Sequence, residues 1–337
     1  MLGQPHPQRS KADQSDSPQA NCGPQVYRFK FHGTTSQFMA IVLKNAVLTV
    51  LTLGLYTFAA KVKLRQFMHH SSEFHGQRFS YHGTWQELRN GYLKVALFVI
   101  IYSLLSQAQK LLNPKLLILT TILNSALFLL VIGFATYSGR RYLLSRTSWR
   151  GIYFAMNPSS KIFVKEFFIG SILSILTLGL YSPYFQNRKH TLLMKSTRFG
   201  SMRFTYNGTD KDAARIFFKH LPLMIFTLGL SYPWYRAQIS RFRAHHTWIG
   251  SETLGAARGC LAVTGSEIFK LYAFNALILI PTFGFGAFWL VSYNMSYYFN
   301  RFSLVGELNF KNTMQVASTG SAAGASLASL AGLSLEL

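Results

Sequence analysis

Long apolar runs alternate along this chain with short stretches rich in basic and aromatic residues. Six apolar segments stand out, at 38–60, 92–106, 116–137, 162–181, 216–232 and 268–291. A helix needs about 20 such residues to cross ~30 Å of hydrocarbon, so the pattern predicts membrane helices. Leu116 to Tyr137 carries no charge and is the clearest span. Segment 216–232 holds Lys219, His220 and Pro222 near its start, and 268–291 is interrupted by Pro281 and the Gly-rich "PTFGFGAFW". These two are the candidates for broken or re-entrant helices, which persist at membrane depth only where other helices or a cavity satisfy the freed backbone.

One phrase recurs where apolar runs end: "VLTLGLYTFA", "ILTLGLYSPY" and "IFTLGLSYPW". Glycine is favoured just past a helix terminus and proline soon after it discourages continuation. Gly54, Gly179 with Pro183, and Gly229 with Pro233 are therefore read as helix breaks. The first copy, with Thr57-Phe58 after the glycine, and the last, "TFGFG", are expected to end differently. The aromatics that follow have the amphipathic rings that collect at headgroup level.

A second phrase, Phe-x-Tyr-x-Gly-Thr, occurs as "FSYHGT" (Phe79, Tyr81, Gly83) and "FTYNGT" (Phe204, Tyr206, Gly208), with "FKFHGT" before the first apolar run. Alternating aromatics closed by glycine read as a short strand and turn. The unit is then apolar helix, Gly break, basic aromatic stretch and small β element, repeated with degeneration.

Composition sharpens this picture. The 337 residues hold 34 Lys+Arg against 11 Asp+Glu, for a net charge of +23, yet only 13% are charged. In a soluble protein that imbalance would suggest nucleic acid; beside apolar runs it points to anionic lipid, and nucleic acid is not expected as a partner. Cys22 and Cys260, the latter read as lying in a loop, offer no disulfide framework and no metal pattern. Residues 1–26 lack an apolar core of a signal peptide and read as a disordered tail, 314–337 as a low-complexity tail, and 27–313 as the repeat-built domain. Lys and Arg divide evenly between alternate loops, so the positive-inside rule assigns no orientation.

"TLGLY", "RYLLSRTSWRGI" and "F-x-Y-x-G-T" together resemble the YjgN family of bacterial inner-membrane proteins, over roughly Tyr27 to Phe310. The resemblance implies a multi-pass inner-membrane protein and carries no catalytic residue and no substrate.

No nucleophile elbow, P-loop or zinc-protease signature is present, and neither an enzyme nor a cofactor is expected. The pairs His69-His70 and His245-His246 lack carboxylate or cysteine company at ligand spacing, so no metal site is expected. The functional signal is the interleaving of bases and aromatics just beyond apolar runs: Arg140, Arg141, Arg146, Arg150, Arg188, Lys189, Arg236, Arg241 and Arg243. Each base near an anionic leaflet is worth ~1 kcal/mol. The expectation is an all-α polytopic membrane protein with small β elements at the membrane surface. It would act as a channel, carrier or lipid-handling protein that engages anionic lipid or solute through these bases. The alternative is a scaffold whose F-x-Y-x-G-T elements bind partner proteins.

Overall fold

The computed structural model describes residues 25–108, 114–157, 159–251, 255–308 and 310. The expected disorder of residues 1–26 falls outside them except at 25 and 26, and the low-complexity tail at 314–337 lies wholly outside them. The architecture corrects the all-α expectation. Ten antiparallel strands close into a barrel in the order β1-β10-β9-β8-β7-β6-β5-β4-β3-β2. A pair of helices is inserted after every odd-numbered strand.

The path is regular. Strand β1 (Gln25–Phe31) leads into α1 (Thr35–Leu51) and α2 (Thr57–Ser71), which returns to β2 (Ser72–Phe74) beside β1. Then β3 (Gln77–Tyr81) leads to α3 (Trp85–Ala108) and α4 (Pro114–Ser145), followed by β4 (Thr147–Trp149). The next passage is β5 (Ile152–Met156), α5 (Lys161–Leu176), α6 (Ser182–Ser196) and β6 (Thr197–Phe199). It is followed by β7 (Met202–Tyr206), α7 (Asp210–Phe226), α8 (Tyr232–His245) and β8 (Thr247–Ser251). Finally β9 (Gly255–Leu261), α9 (Gly265–Leu279) and α10 (Ala287–Phe299) lead to β10 (Phe302–Gly306), which pairs with β1 and closes the ring. Because neighbouring strands are antiparallel, all five helix pairs leave from one end of the barrel. Tight turns occupy the other end: His75-Gly76 and Arg150-Gly151 both have positive φ at two successive residues, the geometry of a two-residue hairpin.

Closure removes every sheet edge, which matters for strands of only three to seven residues. The barrel is filled. Tyr27, Phe74, Trp149, Phe199, Met202 and Ile249 converge from six strands, with Phe29, Phe79 and Phe154 packed on them. Trp149 Nε1 donates to Phe74 O and Gln77 O, both at 3.2 Å. At the tight-turn end Phe310 lies across Tyr27, Phe74 and Trp149, with ring centroids 5.0–5.8 Å away. Ten strands leave more interior than eight, and aromatic rings take up that space.

The apolar segments fare unequally. Among the described residues only two helices, Trp85–Gln107 and Lys115–Ser145, are long and apolar enough to cross a membrane. Segments 38–60, 162–181, 216–232 and 268–291 are each folded back on themselves. Helix α1 has 17 residues, α5 has 16, α7 has 17 and α9 has 15, or about 25 Å at 1.5 Å per residue. Pro222 sits inside α7 without ending it, and Pro281 falls in the turn between α9 and α10.

The fold-back has a specific chemistry. Leu53 and Gly54 are both left-handed, at φ 50° and 91°, as are Leu178 and Gly179, Leu228 and Gly229, and Phe283 and Gly284. A leucine there is strained and glycine is not. The preceding threonine joins the two helices. Thr52 Oγ1 donates to Leu48 O at 2.8 Å and accepts from Tyr56 N–H at 3.0 Å. Thr177, Thr227 and Thr282 do the same with Tyr181, Ser231 and Gly286. The hydroxyl thus caps one helix and opens the next. The first and last copies share this geometry, contrary to expectation. Pro183 and Pro233 lie in the first turn of α6 and α8, so they start a helix where the sequence suggested they stop one.

Candidate functional site: a basic axis above the barrel

Helices α2, α4, α6 and α8 carry three Lys or Arg each, and α4, α6 and α8 turn theirs toward one another. His190 of α6 is the centre. Its ring packs edge-on against Tyr206, centroids 4.8 Å apart, and its buried Nε2 has no hydrogen-bond partner. Burial, and then the positive charges of Arg243, Arg140 and Lys189, push its pKa down to about 3. These four residues from three helices therefore share one electrostatic site next to the barrel mouth. Burial likewise raises Tyr206 to about 12, so its phenol stays protonated. Tyr206 OH donates to Asn187 Oδ1 at 2.6 Å, and Asn187 Nδ2 donates to Gly208 O and Asp210 Oδ1. Arg243 also bears on Tyr235, and Arg236 on Tyr272 and Tyr298, extending the basic field to α10.

On the opposite side Arg65 Nη1 donates to Tyr81 OH at 3.1 Å, and burial together with Arg65 lowers the pKa of Lys61. The axis thus sets bases beside phenols that burial keeps protonated, Tyr206 and Tyr235 among them. Such a set donates hydrogen bonds and offers positive charge to an anion.

The structure sorts the bases singled out above. Arg140, Lys189, Arg236 and Arg243 belong to the axis. Arg146 is committed elsewhere: Nη2 and Nε reach Glu87 at 2.6 and 3.0 Å, and its guanidinium lies over the Tyr142 ring. Arg188 faces Glu166 at 3.4 Å. Arg150 is in the β4–β5 turn at the far end of the barrel, over Trp149. Arg241 is exposed, and Arg141, half-buried, adjoins Arg140. Sequence reading missed His190 as the centre, because only the fold brings α4, α6 and α8 to one axis.

The F-x-Y-x-G-T elements are strand-to-helix junctions rather than hairpin turns at a surface. Tyr81 and Tyr206 are each 3% exposed, and Phe79 and Phe204 pack on the barrel core. A Cβ at Gly83 or Gly208 would collide with the tyrosine hydroxyl two residues earlier. The following threonine caps the next helix: Thr34, Thr209 and Thr264 accept from the N–H of Gln37, Asp212 and Glu267. Thr84 takes Glu87 N–H at 3.3 Å. The signal that would have located these starts is Thr-x-x-Glu/Gln/Asp. Cys260 lies on β9, not in a loop. His69 and His70 turn to backbone carbonyls of their own helix, as does His246, while His245 meets Arg258.

The fold is a closed, aromatic-filled barrel that bears helix pairs with apolar tips. The chain belongs to the family described as "Bacterial protein of unknown function (DUF898)", which matches residues 26–221, more than half its length. It is 29% identical over 164 residues to the inner membrane protein YjgN of Escherichia coli O157:H7, covering 48% of this chain and 39% of that protein. It is 30% identical over 153 residues to YjgN of Escherichia coli strain K12, covering 45% and 37%. The chain thus aligns with about two fifths of these relatives' length. Their names support a bacterial inner-membrane location. No solved structure matches it.

Proposed function

We propose that the protein inserts its helix-pair tips into the cytoplasmic leaflet of the inner membrane and binds anionic phospholipid headgroups along its basic axis. The observation that carries this reading is at the tips. Leu53, Leu178 and Leu228 are each 95% exposed and Phe283 93%, all at the end of the molecule away from the barrel. Outer faces of the first helices are apolar as well, as at Val47, Ile175, Phe226 and Leu277. Burying each such side chain contributes roughly 1.5–3 kcal/mol, which favours lipid over water. With tips inserted, the bases of α4, α6 and α8 fall toward the barrel, at headgroup level. The longer pair α3–α4 reaches deeper and supplies the multi-pass element. All basic stretches share one side, which accounts for the even division of Lys and Arg among loops.

The filled barrel argues for binding rather than passage along its axis. The test uses full-length protein in nanodiscs of phosphatidylcholine, with phosphatidylglycerol titrated in. Anionic lipid should raise Tm in the native protein and not in Arg140→Gln/Arg243→Gln. An equal rise in both would refute the axis as the site.

A further inference from the structure

Beside the axis, on the outer face of the helices, an open groove of ≈ 800 Å³ runs between α3, α4 and α5. Val95 and Phe98 of α3, Val131 and Phe134 of α4, and Val164 and Phe168 of α5 line it. Its polar margin is made by Lys161, Lys165 and Ser160. Both lysines are exposed and lie in the first two turns of α5, the barrel-side end of that helix. The volume falls within the roughly 300–1,000 Å³ of clefts that hold small ligands.

We infer that this groove holds one acyl chain of an anionic phospholipid whose phosphate is met by Lys161 and Lys165. Three observations select that occupant. The wall is apolar along its length and calls for an apolar filler. The charge is confined to one end, which matches a ligand with one anionic terminus. Finally, the groove is built on α3 and α4, the two helices long and apolar enough to cross a bilayer, so its open side faces lipid. The polarity is also right: Lys161 lies at the barrel end, the side where the axial bases lie, while α5 runs away toward the Leu178 tip. The nearby Glu166 is engaged by Arg188 and does not neutralise the lysines' end. An ordinary annular lipid would show neither fixed stoichiometry nor dependence on these two cations.

The inference rests on the insertion reading above but names a different site. Native mass spectrometry of the full chain, purified in mild detergent from membranes containing phosphatidylglycerol, is the test. One retained anionic phospholipid is expected that persists in Arg140→Gln/Arg243→Gln, which removes binding at the axis. Val164→Trp should fill the groove and abolish retention while circular dichroism and Tm show the fold intact. Lys161→Gln/Lys165→Gln, which leaves the groove open, should cut the preference for phosphatidylglycerol over phosphatidylcholine about tenfold or more. Unchanged retention in Val164→Trp, or unchanged preference in the double lysine variant, overturns the groove. Alkaline extraction of the same membranes separates the two readings: release of native protein refutes insertion, whereas a retained protein whose bound lipid is unchanged in Val164→Trp refutes only the groove.

Discussion

Arg146 holds Glu87 across 59 residues of sequence, joining the end of α4 to the first turn of α3 through Nη2 and Nε at 2.6 and 3.0 Å. Tyr142 OH donates to the same carboxylate at 2.9 Å. The arginine that the sequence presents as one more lipid-facing base is therefore a clasp at the foot of the longest helix pair. The side chains are about a third exposed, so screening discounts the pair. Glu87→Gln and Arg146→Gln should each cost about 1–2 kcal/mol, and a double-mutant cycle by chemical denaturation should show them coupled. Additive losses would mean the clasp does not hold the pair. Anionic-lipid binding should be the same in Arg146→Gln as in the native protein.

Asn187 is fully buried and makes three hydrogen bonds, two as donor and one as acceptor from Tyr206. Asn187→Leu strands the phenol and the Asp210 carboxylate, and a loss of about 2–3 kcal/mol in unfolding free energy is expected. Tyr206→Phe removes one bond and should cost about 1 kcal/mol.

Leu178 combines strain with exposure, at φ 49° and 95% exposed. Leu178→Asn suits the left-handed backbone and discards the apolar contact. Thermal stability in detergent should hold or rise, while retention in alkaline-washed membranes should fall, most clearly when Leu53 and Leu228 are changed too. Retention that tracks stability instead would contradict insertion.

The histidine at the axis sets an acid limit. His190 lies on the barrel side of α6 with its pKa near 3, below that of the unfolded chain at about 6.5. The native state therefore holds it neutral, facing Arg140, Lys189, Arg243 and Tyr206. As pH falls below ~6.5 the unfolded chain takes up a proton that the folded one refuses, so stability declines progressively down to about pH 3. Above ~6.5 the contribution is fully present. His190→Gln should flatten the pH dependence of Tm in that window; an unchanged slope would assign the acid loss to other groups.

Topology follows from the barrel. In a background lacking Cys22 and Cys260, cysteines at Gly76, Gly151 and Ser201 should all react from the cytoplasmic side with a membrane-impermeant maleimide. Cysteines at Leu53, Leu178 and Leu228 should be shielded. Labelling of Gly76 and Gly151 from opposite sides would exclude insertion of all pairs from one leaflet.

The local chain determined a good deal by itself. Thr-Leu-Gly marks three fold-backs and Thr282-Phe283-Gly284 a fourth, because only a residue tolerant of positive φ can follow the strained leucine or phenylalanine, and that preference is local. The threonine caps and the His75-Gly76 and Arg150-Gly151 turns are legible for the same reason. The apolar runs and basic excess likewise point to the membrane location that the relatives' names support. The barrel was another matter. Its strands β2, β4 and β6 are three residues long, too short for an alternating pattern to register, and each has a hairpin neighbour on one side but a partner from beyond a whole helix pair on the other. An apolar run also looks the same whether it crosses a bilayer or turns back at its middle. Which bases clasp a carboxylate and which gather about His190 was decided by tertiary structure alone. Charge depends on distance to its neighbours, and closing the ring is what separates Arg146, beside Glu87, from Arg140 and Arg243, beside His190.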